Sequence, residues 1–269
     1  MSNDPDLAPQ DYTCADVNRI LRIPLIEQAE LLLRDCSLTA SIGVIVGPNG
    51  CGKSEALKRL AGNYRSLGLP GQAARIRCCQ QDGPTRGAKD ILLEIGVGGA
   101  LMMNGQATPL SLICKTAVRA FRQRNLRCLL LDEADNWTID TLGGFVTLLD
   151  YLRDKDHPVC AILTGVQSPT SWIGAVPALD SRTLATVNGY QLSENQVAGV
   201  LCKWGGAFSG LADSYIKGEG AALNAMQTIQ SATGGNLRRL NYLCSLLAAS
   251  KSKSIGKDEV ISVLARMAK

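Results

Sequence analysis

A chain of 269 residues, 46% hydrophobic and 19% charged, can bury an ordinary core and is too apolar overall for wholesale disorder. No apolar run approaches the ~18–20 residues that cross a bilayer. The opening MSNDPDLAPQDYTCADVNR has no basic stretch leading into an apolar one, so a cytoplasmic protein with no membrane partner is expected. The net charge of +4 is unevenly spread: nine Lys/Arg face five Asp/Glu from Gln191 onward, and the residues before it balance. That excess permits a nucleic-acid contact without demanding one.

Residues 1–22 read as an extended arm. Ile42 to Val46 is a β-branched run bounded by glycine, typical of a strand buried on both faces. The glycine-rich stretch Gly47 to Gly52 follows, and a helical pattern starts at Ser54. Ala74 to Cys79 is predicted as a second strand, with Cys78 and Cys79 on opposite faces. Helices are expected around 89–95 and 110–124, with Gly96 to Gly99 and Asn104-Gly105 breaking the pattern between them. Three more strands follow, at Cys128–Leu131, Val159–Leu163 and Leu184–Tyr190. Strands alternating with helices predict an α/β domain with a parallel sheet flanked by helices. Beyond Ser193 only helices are predicted: 194–204, 220–233, 237–249 and 257–267. Ser193 or Glu194 would cap the first, and Gly234-Gly235 separates the second from the third. A boundary near 190 divides the chain into 23–190 and a helical 191–269. Ten cysteines without a C-x-x-C pair, and a single histidine, give no zinc spacing. Cys128, Cys160 and Cys244 stand inside apolar stretches as small hydrophobes in reduced form. His157, between Asp156 and Pro158, is expected in a surface loop. Trp137 is expected beside the site or at a subunit contact.

Gly47-Pro48-Asn49-Gly50-Cys51-Gly52-Lys53-Ser54 matches G-x-x-x-x-G-K-[ST]. Glycines let the backbone curl so that N–H groups point at phosphate oxygens, and the helix start adds its dipole. Gly47 through Ser54, with Glu55, are the candidate nucleotide-binding residues. Lys53 would reach the β- and γ-phosphates and Ser54 would hold Mg²⁺. The run Leu129-Leu130-Leu131-Asp132-Glu133-Ala134-Asp135 supplies the complementary carboxylates at the C-terminal edge of a buried strand. Asp132 would ligate Mg²⁺ and Glu133 would serve as general base toward water.

With these motifs the chain resembles the AAA+ ATPases, P-loop NTPases in which a small all-α lid follows the nucleotide-binding domain. The resemblance implies ATP and Mg²⁺ as cofactors and ATP hydrolysis as the activity. It also implies homo-oligomers. Gly235-Asn236-Leu237-Arg238 resembles the lid's sensor 2 motif, which assigns Arg238 a reach to the γ-phosphate. Arg182, in Asp180-Ser181-Arg182, stands where the family carries an arginine finger acting on a neighbouring subunit. For sensor 1, Thr164 and Gln167 compete, with Thr164 preferred. An ABC-type transporter ATPase shares the phosphate loop but needs an L-S-G-G-Q signature, which the sequence lacks. Within AAA+ the layout is most similar to the compact transposition ATPases of the MuB, TniB and TnsC kind and their ExeA-like relatives. That implies duplex DNA and a transposase as partners, in a ring or helical filament. A protein client without a DNA role is the alternative, as is a nucleotide switch that barely hydrolyses. Lys115, Arg119 and Arg122 recur along one helix face, and Arg75, Arg77, Arg86 and Lys89 form a second basic cluster. Either is a candidate contact for a phosphate backbone.

Overall fold

Runs of Val, Ile, Leu and Ala with no polar alternation are the sequence of strands covered on both sides. β1 (Ile42–Val46) and β4 (Cys160–Gly165) are buried along their whole length, and β3 (Leu126–Asp132) at all but one position. With β2 (Gln72–Arg77) and β5 (Thr183–Asn188) they form a five-stranded, all-parallel sheet of order β2-β3-β4-β1-β5. β2 and β5 are the edges, and both are largely exposed or half-buried. The computed structural model describes residues 24–79, 83–97, 108–166, 168–250 and 255–267. The arm at 1–22, the Asn104-Gly105 break and Gln167 lie outside the described residues.

Helices cover both faces of the sheet. Helix α1 (Pro24–Thr39) packs on β1, β4 and β5, and α2 (Lys53–Asn63) on β2 and β3. Leu25, Ile26, Ala29, Leu32, Leu33 and Cys36 form the buried stripe of α1, at the spacing of one helix face. Gly43 lets α1 approach, since a Cβ there would lie 2.7 Å from Leu32 Cγ and 2.8 Å from Ile162 Cδ1. On the opposite face lie α3 (Arg86–Glu94), α4 (Leu110–Gln123) and α5 (Ile139–Asp154). Their side chains join Leu129, Leu131 and Ile76 in one core that includes Phe121, Trp137 and Phe145. Thr138 caps α5 by accepting from the Thr141 N–H. Two single-turn helices, α6 (Pro169–Trp172) and α7 (Pro177–Asp180), lead from β4 to β5.

Pro24–Tyr190 form one compact unit, and the described residues from Gln191 onward belong to a second. Among its described residues the second unit holds helices and no strand: α8 (Glu194–Trp204), α9 (Ala207–Ile216), α10 (Gly220–Thr233), α11 (Leu237–Ala249) and α12 (Lys257–Met267). Ser193 and Gln196 form a reciprocal capping box at α8. Gly235, at φ +68°, closes the α10–α11 turn on the backbone of Leu192, and the Leu192 N–H donates to its carbonyl at 2.8 Å.

Several expectations need correction. Helices α1, α5 and α9, and the single-turn α6 and α7, are additions to the elements expected from sequence. β2 stops at Arg77, so Cys78 and Cys79 lie beyond it; Cys78 is buried, with its N–H on the Asp132 carbonyl at 2.8 Å, and Cys79 is exposed. Trp137 is a core residue, edge-on to Phe145. His157 is not in an exposed loop. It is 3% exposed, and its Nε2–H donates to the Leu126 carbonyl at 2.8 Å. The cysteines among the described residues are free thiols, and burial pushes those of Cys36 and Cys244 up to about 12.

Burial also holds the His157 imidazole below its ordinary pKa. As pH falls through about 6.5, the unfolded chain takes a proton that the folded chain resists. Stability is therefore full above that value and declines below it, down to the folded pKa. Urea midpoints measured between about pH 7.5 and 5.5 should fall on acidification more steeply for the native chain than for His157→Gln. His157 is the chain's one histidine, so no other imidazole contributes to the difference.

Candidate functional site

β1 runs straight into the loop Gly47–Gly52, and α2 begins at Lys53. Gly50 and Gly52 adopt φ +80° and +105°, left-handed values that a side chain would strain. Cys51 is buried inside the loop, with its Sγ against two glycines. A Cβ would stand 3.0 Å from it at Gly47 and 2.8 Å from it at Gly189. The Gly189 N–H donates to Val46 O at 2.6 Å, which pins the start of the loop to the chain leaving β5. Glycine at the N-cap leaves α2 without a side-chain cap, so the N–H groups of its first turn and its dipole are offered to the loop. Lys53 is 8% exposed, and its Nζ donates to the Gly47 and Pro48 carbonyls at 2.6 and 3.0 Å. A buried ammonium held by neutral carbonyls, beside an uncapped helix start, fits an anion of phosphate type.

Across the sheet edge, Asp132 ends β3 and is 3% exposed. Its Oδ1 accepts from Ser54 Oγ at 3.1 Å and from Thr164 Oγ1 at 2.9 Å. Its Oδ2 accepts from Arg75 Nη2 at 2.7 Å. Thr164 Oγ1 in turn accepts the Glu133 N–H at 3.1 Å. Glu133 sits at φ +59°, and its carboxylate receives Arg77 Nε and Nη2 at 3.1 and 3.4 Å. Asp135 Oδ2 accepts the Val166 N–H at 2.7 Å and so ties the end of β4 to this corner. The Ser54 hydroxyl and Asp132 carboxylate are hard oxygen donors of the kind Mg²⁺ takes. Among the described residues no cluster of three His, Cys, Asp or Glu could hold a metal unaided. A cation here would complete its shell from nucleotide and water.

The structure thus brings Lys53, Ser54, Asp132, Glu133 and Thr164 together at one sheet edge. Arg182 is elsewhere, at the start of β5. Its Nε and Nη2 fork onto Asp150 at 2.9 and 2.7 Å, and its Nη1 donates to Ala178 O at 2.7 Å. Arg238 is exposed in the first turn of α11, where Asn236 Oδ1 accepts the N–H groups of Arg238 and Arg239, each at 3.1 Å. Lys115, Arg119 and Arg122 form an exposed stripe on α4, and Arg122 also donates to the Lys155 carbonyl. In the other basic cluster, three of the four residues face a carboxylate. Arg75 and Arg77 are paired with Asp132 and Glu133, Arg86 lies 3.9 Å from Asp90, and Lys89 is half-buried. Sequence reasoning missed these pairings. The pairs follow from β2 lying beside β3, with Arg77 in register with Asp132, and no local sequence pattern carries that adjacency.

Thr164→Val keeps the side-chain shape but removes both the donor to Asp132 and the acceptor for Glu133 N–H. Urea unfolding should register a loss of about 1–3 kcal/mol, most of it restored by Thr164→Ser.

The family profile described as an AAA domain matches residues 36–171. No curated protein sequence matches the chain. Among solved structures, the ORC2 protein of Aeropyrum pernix, solved with ADPNP and ADP, superposes with TM-score 0.60 at 14% identity over 97% of this chain. Cdc6p of Pyrobaculum aerophilum gives 0.61 at 16% over 94%. The Aeropyrum pernix ORC1 protein in complex with DNA gives 0.56 at 16% over 98%. The chain spans 70%, 66% and 66% of those proteins' own lengths. At such identities these likenesses establish the fold, and the profile match spans half of the sequence. The five-stranded parallel sheet, the loop after β1 and the helices beyond it are those of an AAA+ P-loop domain, and the chain belongs to the AAA domain family.

Proposed function

We propose that the protein is a Mg²⁺-dependent ATPase that assembles, in its ATP-bound form, on duplex DNA without sequence preference and recruits or activates a transposase. The observation that carries the ATPase reading is the meeting of Lys53, Ser54, Asp132, Glu133 and Thr164 at the C-terminal edge of the sheet. In this reading the loop N–H groups and Lys53 hold the phosphates, Lys53 leaving its loop carbonyls for the β- and γ-oxygens. Ser54 and Asp132 hold Mg²⁺, which when bound supplies charge neutralisation on the phosphate oxygens. Glu133 takes a proton from the attacking water, and Thr164 fixes the spacing of Asp132 and Glu133 by bonding to both. Arg182 and Arg238 are the proposed arginine finger and sensor 2.

The DNA reading is supported by the exposed stripe of Lys115, Arg119 and Arg122 on α4 and by the positive excess from Gln191 onward. The fold shared with an ORC1 protein solved on DNA is consistent with it. The transposase follows from the resemblance to compact transposition ATPases.

Fluorescence anisotropy on a random-sequence duplex, with ATP, with ADP and without nucleotide, tests the proposal. Cooperative binding is expected with ATP alone, weakening as salt rises and weakened again by Arg119→Ala with Arg122→Ala. Glu133→Gln should lower turnover about 100-fold or more and prolong the bound state. ATP turnover with no DNA binding in any nucleotide state would leave a protein client. Absence of turnover in the native chain would remove the enzyme reading itself.

A further inference from the structure

The two oxygens of Asp132 are held differently. Oδ1 takes two hydroxyl donors, Ser54 Oγ and Thr164 Oγ1, from elements inside the fold. Oδ2 takes a guanidinium, Arg75 Nη2 at 2.7 Å, from the edge strand β2. Asp132 is 4% exposed at its side chain, whereas Arg75 is 36% exposed. Arg75 is in register with Leu130, not with Asp132, so its long side chain leans forward along the strand to reach the carboxylate. A carboxylate oxygen in a charge-assisted hydrogen bond is a poor ligand for a second cation, and a guanidinium a few ångströms from a divalent ion repels it. Of the two kinds of partner only Arg75 has room to leave, because no strand lies beyond β2 among the described residues.

We propose that Arg75 is a tethered competitor of the divalent cation. Its guanidinium and the metal take the same Asp132 oxygen in turn, and metal loading turns Arg75 outward from the sheet edge. The pairing sets how much free Mg²⁺ the site needs once nucleotide is present, and it makes Arg75 a positioning residue for Asp132. This rests on the reading of Asp132 as the metal-holding carboxylate.

Mn²⁺ binding to the full chain in complex with ADP, followed by electron paramagnetic resonance, separates the possibilities. Arg75→Gln should tighten Mn²⁺ about tenfold. Arg77→Gln, which removes the same charge from the same strand but touches Glu133, should shift it less. Unchanged or weaker Mn²⁺ binding in Arg75→Gln, or an equal shift in Arg77→Gln, overturns the proposal while a loss of Mn²⁺ in Asp132→Asn leaves the metal reading standing. Mn²⁺ affinity undiminished in Asp132→Asn overturns both. The native chain supplies a readout that does not depend on how the variants fold. Phenylglyoxal modification of Arg75, read by peptide mass spectrometry, should rise with ADP and Mg²⁺ over ADP with EDTA, and no rise overturns the proposal.

Discussion

A carboxylate buried at the end of a strand is the constraint on which this architecture turns. Asp132 is almost completely removed from water, and an unpaired charge there would cost several kcal/mol. It is satisfied by donors from three separate elements: Ser54 from α2, Thr164 from β4 and Arg75 from β2. Those donors meet because β3 is flanked by β2 and β4, and because parallel strands deliver their C-terminal ends to one edge. A different strand order would leave Asp132 short of donors. Sheet topology and site chemistry are in this sense one requirement.

The phosphate loop depends on a second, purely steric fit. Cys51 fills the inside of the loop, and its Sγ lies where a Cβ at Gly47 or Gly189 would stand within 3.0 Å of it. Gly189 also donates to Val46, so the chain leaving β5 fastens the loop at its root. The position of Lys53 and Ser54 therefore rests on contacts well away in sequence, although the motif that names them is contiguous.

What was legible in the sequence was what is local. A β-branched run, a glycine loop and a helix start occupy adjacent residues, and an apolar run ending in two acids carries its own meaning. The strands of the sheet were visible for the same reason, each within two residues of its observed limits. The Arg75–Asp132 and Arg77–Glu133 pairs were not legible, because they depend on which strand lies beside which. Without the sheet order, the two arginines looked like part of a basic surface. His157 misled in the other direction: Asp154, Lys155, Asp156 and Pro158 around it are turn-like, yet its ring fills a gap beside Phe121 and bonds to Leu126. Helices α1 and α5 carry readable stripes, Leu25-Ile26-Ala29-Leu32-Leu33-Cys36 and Leu142-Phe145-Val146-Leu149-Leu152. Both stand close beside the motif stretches, whose stronger signal obscures them.

The two ends of the sheet divide the candidate chemistry. The phosphate loop lies at the C-terminal edge, where Gly189 touches it. Arg182 precedes β5, whose six residues rise about 3.3 Å each and so separate it from Gly189 by roughly 20 Å. No arginine side chain spans that distance, and this one is further held by its fork onto Asp150. Within a single chain, then, Arg182 is excluded from the nucleotide that Lys53 would hold. If it meets a phosphate at all, it does so across a subunit boundary after releasing Asp150. The proposed chemistry would then be completed by assembly, with the folding of each chain supplying only the half built around Asp132.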